Sequence, residues 1–126
     1  MQPLLTQLLN LPGIEVENYT NCGEELILEV EATTTQAICP RCQQVSGHMH
    51  QNHWYLVRDL SISGRTVFLK VNRRQFKCRT CNKPFSETLD FIAPRRKQTN
   101  RFAWAIVQQV LHSDIHNVAI QNGLTD

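Results

Sequence analysis

Two cysteine pairs, Cys39-Pro40-Arg41-Cys42 and Cys78-Arg79-Thr80-Cys81, constrain this chain more than any other feature. A C-x-x-C spacing lets one tight turn present two sulfurs to one ion, and two such turns complete the tetrahedron that zinc prefers. Cys42 and Cys78 stand thirty-six positions apart, so the chain between them must fold back and set the two knuckles side by side, as a zinc ribbon does. Pro40 and Asn82 suit tight turns. The competing readings are buried free thiols or a redox pair, and a thioredoxin-type pair needs a βαβ context that this sequence lacks. Cys39, Cys42, Cys78 and Cys81 are therefore read as the ligands of one structural Zn2+, because catalytic zinc keeps an open position.

Cys22 is left over and reads as a free thiol in a turn. His48, His50 and His53 lie between the knuckles and could stand in for a cysteine. The plainer reading is polar loop residues, or hydrogen bonds to the ligating groups. Four thiolates on one zinc carry a net −2 charge, and nearby bases partly neutralise it.

The rest of the chain alternates and then changes period. Leu4, Leu5, Leu8 and Leu9 predict an amphipathic helix over residues 3–10, stopped by Pro12-Gly13. Ile14, Val16 and, less strictly, Tyr19 define a first strand, and Leu26, Leu28 and Val30 a second, which together form a hairpin. Further strands are predicted at Trp54–Asp59 and Arg65–Arg73. From Thr99, the spacing of Phe102, Ile106, Val107, Val110 and Leu111 predicts a helix, capped by Thr99 or Asn100. Asp114 can cap a second short helix over 115–121. The fold class is α+β: a small antiparallel β zinc ribbon with an N-terminal β-hairpin, a short N-terminal helix and a C-terminal helical pair. The expected division is 1–34 for helix and hairpin, 35–92 for the ribbon, and 93–126 for a basic linker and an incomplete helix-turn-helix.

Charge is distributed unevenly along the 126 residues. Residues 1–64 hold seven acids against two bases, and residues 65–101 hold eleven bases against two acids. Those bases are Arg65, Lys70, Arg73, Arg74, Lys77, Arg79, Lys83, Arg95, Arg96, Lys97 and Arg101, the candidate DNA contacts, since phosphate neutralisation supplies most non-specific nucleic-acid affinity. A solvated charged face is the plainer alternative. Pro94 disfavours helix just before it, so Arg95 to Lys97 read as an extended basic arm. The C-terminal pair, followed by Asn122-Gly123-Leu124-Thr125, looks like the opening of a helix-turn-helix whose groove-reading helix does not follow. No secretory signal or membrane-spanning stretch is visible, so a cytoplasmic location is expected and no membrane partner. Paired cysteines there point to metal more than to disulfides.

Several blocks carry a resemblance. Leu9-Asn10-Leu11-Pro12-Gly13, the Cys39 knuckle, His53-Trp54, Val57-Arg58-Asp59-Leu60 and Gly64-Arg65-Thr66-Val67 come first. Arg73-Arg74-Gln75-Phe76-Lys77-Cys78, then Cys81 with Pro84-Phe85-Ser86-Glu87, complete the pattern. This resembles the N-terminal zinc-binding region of the ISL-three family of bacterial insertion-sequence transposases, over nearly the whole chain, and the tail from Thr99 is similar to the family's helix-turn-helix. The resemblance implies the same four zinc ligands and double-stranded DNA at transposon ends as partner. It also implies an RNase-H-like core with three metal-holding carboxylates, for which this chain has no room. Asp59, Glu87, Asp90 and Asp114 are scattered, so no catalytic residue is assigned. The expectation is a truncated, zinc-stabilised, DNA-binding region that is not an enzyme by itself. A protein-interaction or dimerisation module is the alternative, and self-association is compatible with either.

Overall fold

Alternation of apolar and polar side chains gives the largest element, a sheet with one dry face. The computed structural model of the chain describes residues 2–93, 95–112 and 115–123. The elements run α1 (Pro3–Leu9), β1 (Ile14–Asn21), β2 (Glu25–Ala32), β3 (Ala37–Ile38), β4 (Val45–Ser46), β5 (Met49–Gln51) and β6 (Trp54–Ile62). They continue through β7 (Arg65–Asn72), β8 (Gln75–Cys78), β9 (Lys83–Ser86), α2 (Asn100–His112) and α3 (Ile115–Asn122). The mixed α+β class expected from the sequence is what the chain adopts.

The four-stranded sheet has the order β1-β2-β7-β6. β1–β2 and β6–β7 are antiparallel hairpins, and β2 joins β7 in parallel, with Leu28 opposite Leu69 and Val30 opposite Val71. Val16, Leu28, Val30, Val57, Val67 and Leu69 are excluded from water on its inner face. Leu5 and Leu9 of α1 cover that face, together with Leu11, Leu89, Phe91 and Ile92. α1 stops where Asn10 turns left-handed and donates its N–H to the Thr6 carbonyl. The Thr6 hydroxyl accepts the Val16 N–H at 3.0 Å and ties the helix to β1. Tyr19, expected with Ile14 and Val16, lies past a bulge between Val16 and Asn18 and is 50% exposed. A bulge adds one unpaired residue, which upsets strict alternation.

Parallel pairing of β2 and β7 was not readable as a pattern, and it changes the domain reading. The expected boundary near residue 34 would separate the first hairpin from the segment that supplies β6 and β7. Those four strands instead share one sheet and one core. β2 and β7 end, and β6 begins, at the same edge of that sheet, with Trp54 opposite Asn72. The zinc-ligand segments β3–β5 and β8–β9 therefore leave and re-enter the sheet at that one end. Asn72 seals the junction: its Nδ2 donates to Asn52 Oδ1 at 2.9 Å, and its Oδ1 accepts the His53 N–H at 3.1 Å.

The segment expected as an extended arm is pinned. The Arg58 N–H donates to the Lys97 carbonyl at 2.9 Å, and the Thr99 N–H to the Arg58 carbonyl at 2.8 Å, so this stretch lines the free edge of β6. Thr99 caps α2 by accepting the Phe102 N–H on its hydroxyl. It also donates that hydroxyl to Asp59 Oδ1 at 2.7 Å. Arg101 Nε donates to the same oxygen at 2.8 Å, and its Nη1 donates to the Leu9 carbonyl at 2.7 Å. One carboxylate thus fastens α2 to β6, and its partner arginine reaches α1. α3 follows α2, with Asn122 Nδ2 donating to Gln109 Oε1. Pro94, the Asp114 cap and the Leu124-Thr125 opening of a further helix lie outside the described residues.

Asp59 is 1% exposed. Burial alone would raise its pKa, but hydrogen bonds from Arg101, Thr99 and the Leu60 N–H, with the Arg101 charge, hold it below the usual carboxyl range. A depressed folded-state pKa gives stability that is complete above the unfolded value and lost as pH falls through the folded one. Asp59→Asn should therefore cost about 3 kcal/mol at pH 7, toward the low end for a broken buried pair, because the Arg101 side chain is 31% exposed. Urea unfolding should show this gap begin to narrow below about pH 4, where the unfolded-state carboxyl protonates, and close as pH falls through the lower folded-state value. A gap that stays constant down to pH 2 would refute the assignment.

Candidate metal centre

Each knuckle is a short turn closed on its own backbone. In the first, the Gln43 N–H donates to the Cys39 carbonyl at 2.9 Å and the Cys39 N–H to the Gln44 carbonyl at 2.9 Å, with Gln43 left-handed at φ 64°. In the second, Asn82 takes the left-handed position at φ 57°, as its short polar side chain permits. There the Cys81 N–H points at Cys78 Sγ, 3.4 Å away.

Three features set the knuckles side by side. β8 and β9 form a hairpin in which Phe76 opposes Phe85, and the two rings stack at 6.1 Å beneath the sulfurs. Ser46 donates its hydroxyl to the Lys77 carbonyl at 2.6 Å, and the Lys77 N–H donates to the His48 carbonyl at 2.9 Å. Arg41 donates Nη2 to the carbonyls of Lys83 and Pro84 at 3.2 Å each. At the base of the hairpin, Arg74 pairs with Glu87 through Nε–Oε2 at 2.7 Å and Nη2–Oε1 at 3.0 Å. Arg74 also lies over the Phe76 ring at 5.1 Å.

The four sulfurs lie within 4.8 Å of one another. The Cys42–Cys78 separation is 3.4 Å and the Cys39–Cys81 separation 3.9 Å. Zn–S bonds of about 2.3 Å in a tetrahedron require sulfurs about 3.8 Å apart, so the cluster has the size the ion needs. Cys39 and Cys78 are buried, and Cys42 and Cys81 half-buried. None of His48, His50 and His53 belongs to the cluster, and Cys22 is exposed and free.

Crowding four thiols splits their acidities. Burial pushes the Cys39 thiol up, but the N–H groups of Cys42 and Arg41 and the thiols of Cys42 and Cys78 bring it down to about 6. The Gln44 N–H favours the Cys42 thiolate, yet burial and the three other sulfurs push that thiol up to about 12. Cys78 is lowered, chiefly by the Cys81 N–H. One thiolate is welcome among thiols and the next is repelled by it, whereas a divalent cation favours all four.

The eleven basic residues separate into groups. Arg74 and Arg101 spend their guanidinium groups on Glu87 and Asp59 inside the fold, so they serve structure. Arg65 sits at the start of β7, at the sheet end away from the sulfurs. Lys70 lies over the Trp54 ring at 5.6 Å. Arg73 donates Nε to the Glu87 carbonyl at 3.0 Å. Lys77, Arg79 and Lys83 surround the second knuckle, the last two exposed, and Arg95, Arg96 and Lys97 are exposed beside β6. Sequence reasoning missed Arg41 as the strap across the knuckles. An arginine inside a knuckle signals charge, not which carbonyls it will meet.

Residues 35–81 match the family described as the zinc-finger of transposase IS204/IS1001/IS1096/IS1165. The chain is 31% identical over 108 residues to the transposase for insertion sequence element IS1001 of Bordetella parapertussis. That alignment covers 85% of this chain and 27% of the relative, so the chain spans about a quarter of that protein's length. No solved structure matches the chain. Family and geometry agree on one structural Zn2+ at Cys39, Cys42, Cys78 and Cys81.

Purified protein should contain one zinc per chain by atomic absorption, and Cys78→Ser should hold less than half of that. Structural zinc supplies roughly 10–16 kcal/mol of apparent folding energy in isolated zinc-finger peptides. Chelation should accordingly melt the amides of β8 and β9 in hydrogen exchange, while those of β2 and β7 keep their protection. Unchanged exchange at Phe76 and Phe85 after zinc removal would show that the rings, not the ion, hold the ribbon.

Proposed function

Because residues 35–81 match the zinc-finger family of transposase IS204/IS1001/IS1096/IS1165, we propose that this chain is the zinc-stabilised, DNA-binding region of such an enzyme. Its partner is double-stranded DNA at the ends of the element. The single observation that carries this reading is the basic surface around the ribbon and along the edge of β6. Arg79, Lys83, Arg95, Arg96 and Lys97 are exposed there, and their charge is not consumed as that of Arg74 and Arg101 is. Phosphate neutralisation by such groups drives non-specific binding and its steep salt dependence.

The chain itself is read as non-catalytic. Among the described residues, the four cysteines are the group of His, Cys, Asp and Glu side chains that could share a metal ion. Asp59 and Glu87, two of the scattered carboxylates, are held by arginines inside the fold. Strand transfer by paired divalent metals needs carboxylates gathered at one open site. The helical pair fits a partial helix-turn-helix, to which α2 and α3 would contribute the first elements.

A second reading, an interaction or dimerisation module, has its own support. Trp104, Val107 and Leu111 are 64%, 48% and 69% exposed and recur at helical spacing along one stripe of α2. Exposed apolar stripes mark partner surfaces. Binding of the zinc-loaded chain to duplex DNA at several salt concentrations separates the two readings. We expect affinity to fall linearly on logarithmic axes, with the slope shrinking by about 1 for each exposed phosphate-contacting residue changed to Ala. Arg79→Ala and Arg96→Ala test this, and Arg74→Ala should act through stability instead. No binding at low salt by a folded, zinc-loaded chain would favour the interaction module.

A further inference from the structure

The cleft beside the start of β6 has a character that general phosphate binding does not require. It encloses about 340 Å³ and is lined by His53, Trp54, Tyr55, Arg73 and the turn of Arg95, Arg96 and Lys97. That volume is at the small end of ligand sites, about 300–1,000 Å³. Four of these side chains are cations, and none of the described lining residues is acidic. The Glu87 carboxylate pairs with Arg74, and Arg73 donates Nε to the Glu87 carbonyl. His53, Trp54 and Tyr55 supply aromatic side chains to the lining, with the His53 and Tyr55 rings at 6.0 Å and the Trp54 ring also under Lys70 at 5.6 Å. Burial pushes the Tyr55 phenol up, and the charge of Arg73 opposes that rise.

Backbone hydrogen bonds hold the walls of the cleft. Arg73 is anchored by its N–H on the His53 carbonyl, at 2.9 Å. The turn carrying the other cations is held by the Arg96 N–H on the Ala93 carbonyl at 3.1 Å and by the Lys97 carbonyl on β6. Arg95 sits at φ 62°, an uncommon conformation for a long side chain, and one that persists when its surroundings enforce it. The two basic clusters, more than twenty positions apart in the chain, thus meet across one gap with an indole on its wall. A duplex backbone is convex and offers phosphates without exposed base faces. An unpaired nucleotide offers both a phosphate and a flat π-face, which aromatic side chains stack against.

We propose that this cleft takes an unpaired nucleotide of a DNA strand, its base against Trp54 and its phosphates against Arg73, Arg95, Arg96 and Lys97. The proposal rests on the DNA-binding reading and adds a preference for DNA with a single-stranded extension. The test uses the zinc-loaded full chain carrying Trp104→Phe, which leaves Trp54 as the single indole. Affinity is measured for a blunt duplex and for the same duplex with a short single-stranded extension, while Trp54 fluorescence is followed. The extension should tighten binding about tenfold, the scale of one base–aromatic stack, and quench the indole. Trp54→Ala should abolish that gain, and Trp54→Phe should keep most of it. The exposed Arg96→Ala/Lys97→Ala pair gives a readout that does not touch the core, and should weaken the extended duplex more than the blunt one. Equal affinity for both DNAs, or a gain that survives Trp54→Ala in a folded, zinc-loaded protein, overturns the cleft assignment while the general DNA reading stands. Binding to neither DNA overturns both.

Discussion

Four sulfurs that must reach one divalent ion are the constraint on which the rest of this structure depends. Thiolates repel one another, and Cys39 and Cys42 show the conflict in the opposite directions of their acidities. Zinc turns that repulsion into four bonds. To satisfy it, β8 and β9 must pair, Phe76 and Phe85 must stack, and the chain from Ala37 to Ser46 must return against Lys77. The ribbon has little other core: Cys39, Phe76, Cys78 and Phe85 are its buried hydrophobic residues. A core that small gains much of its stability from the metal.

The second half of the architecture is a sheet that needs no metal. Its inner face buries aliphatic side chains from four strands and draws α1 and the 89–92 segment over them. The two halves share one end, where Asn72 and Asn52 satisfy each other and the chain crosses between them. Arginine is used there in two distinct ways. Arg74 and Arg101 form paired contacts to buried carboxylates, a geometry that the planar guanidinium suits and lysine does not. The bases Arg79 and Lys83 around the second knuckle and Arg95, Arg96 and Lys97 beside β6 are exposed instead.

Much of the candidate site was legible in the chain as written. The two C-x-x-C pairs name their ligands because zinc chemistry accepts few alternatives at that spacing, and the strands announce themselves through alternation. The uneven distribution of charge pointed to a basic region, but not to its membership. Whether an arginine is spent or free depends on which carboxylate folding brings to it, and Asp59 is forty-two positions from Arg101. The Arg95–Lys97 stretch read as an extended basic arm because Pro94 disfavours helix just before it. It is fixed by backbone hydrogen bonds to Arg58, and backbone groups are the same in every residue. Trp54 looked like an ordinary strand residue for a similar reason, since its role depends on what stands across from it.

The sequence by itself determined the metal, its four ligands, the first hairpin with its buried face, the later strands, the helices and the excess of base over acid in residues 65–101. Each follows from local spacing and residue chemistry, which survive without knowledge of any neighbour. Only the tertiary structure decided that β2 and β7 pair in parallel, merging two expected domains into one sheet. It likewise decided which arginines are internal, and that His53–Tyr55 and Arg95–Lys97 face each other across a cleft. Those outcomes depend on long-range register, which is set by how all the apolar faces can be buried at once.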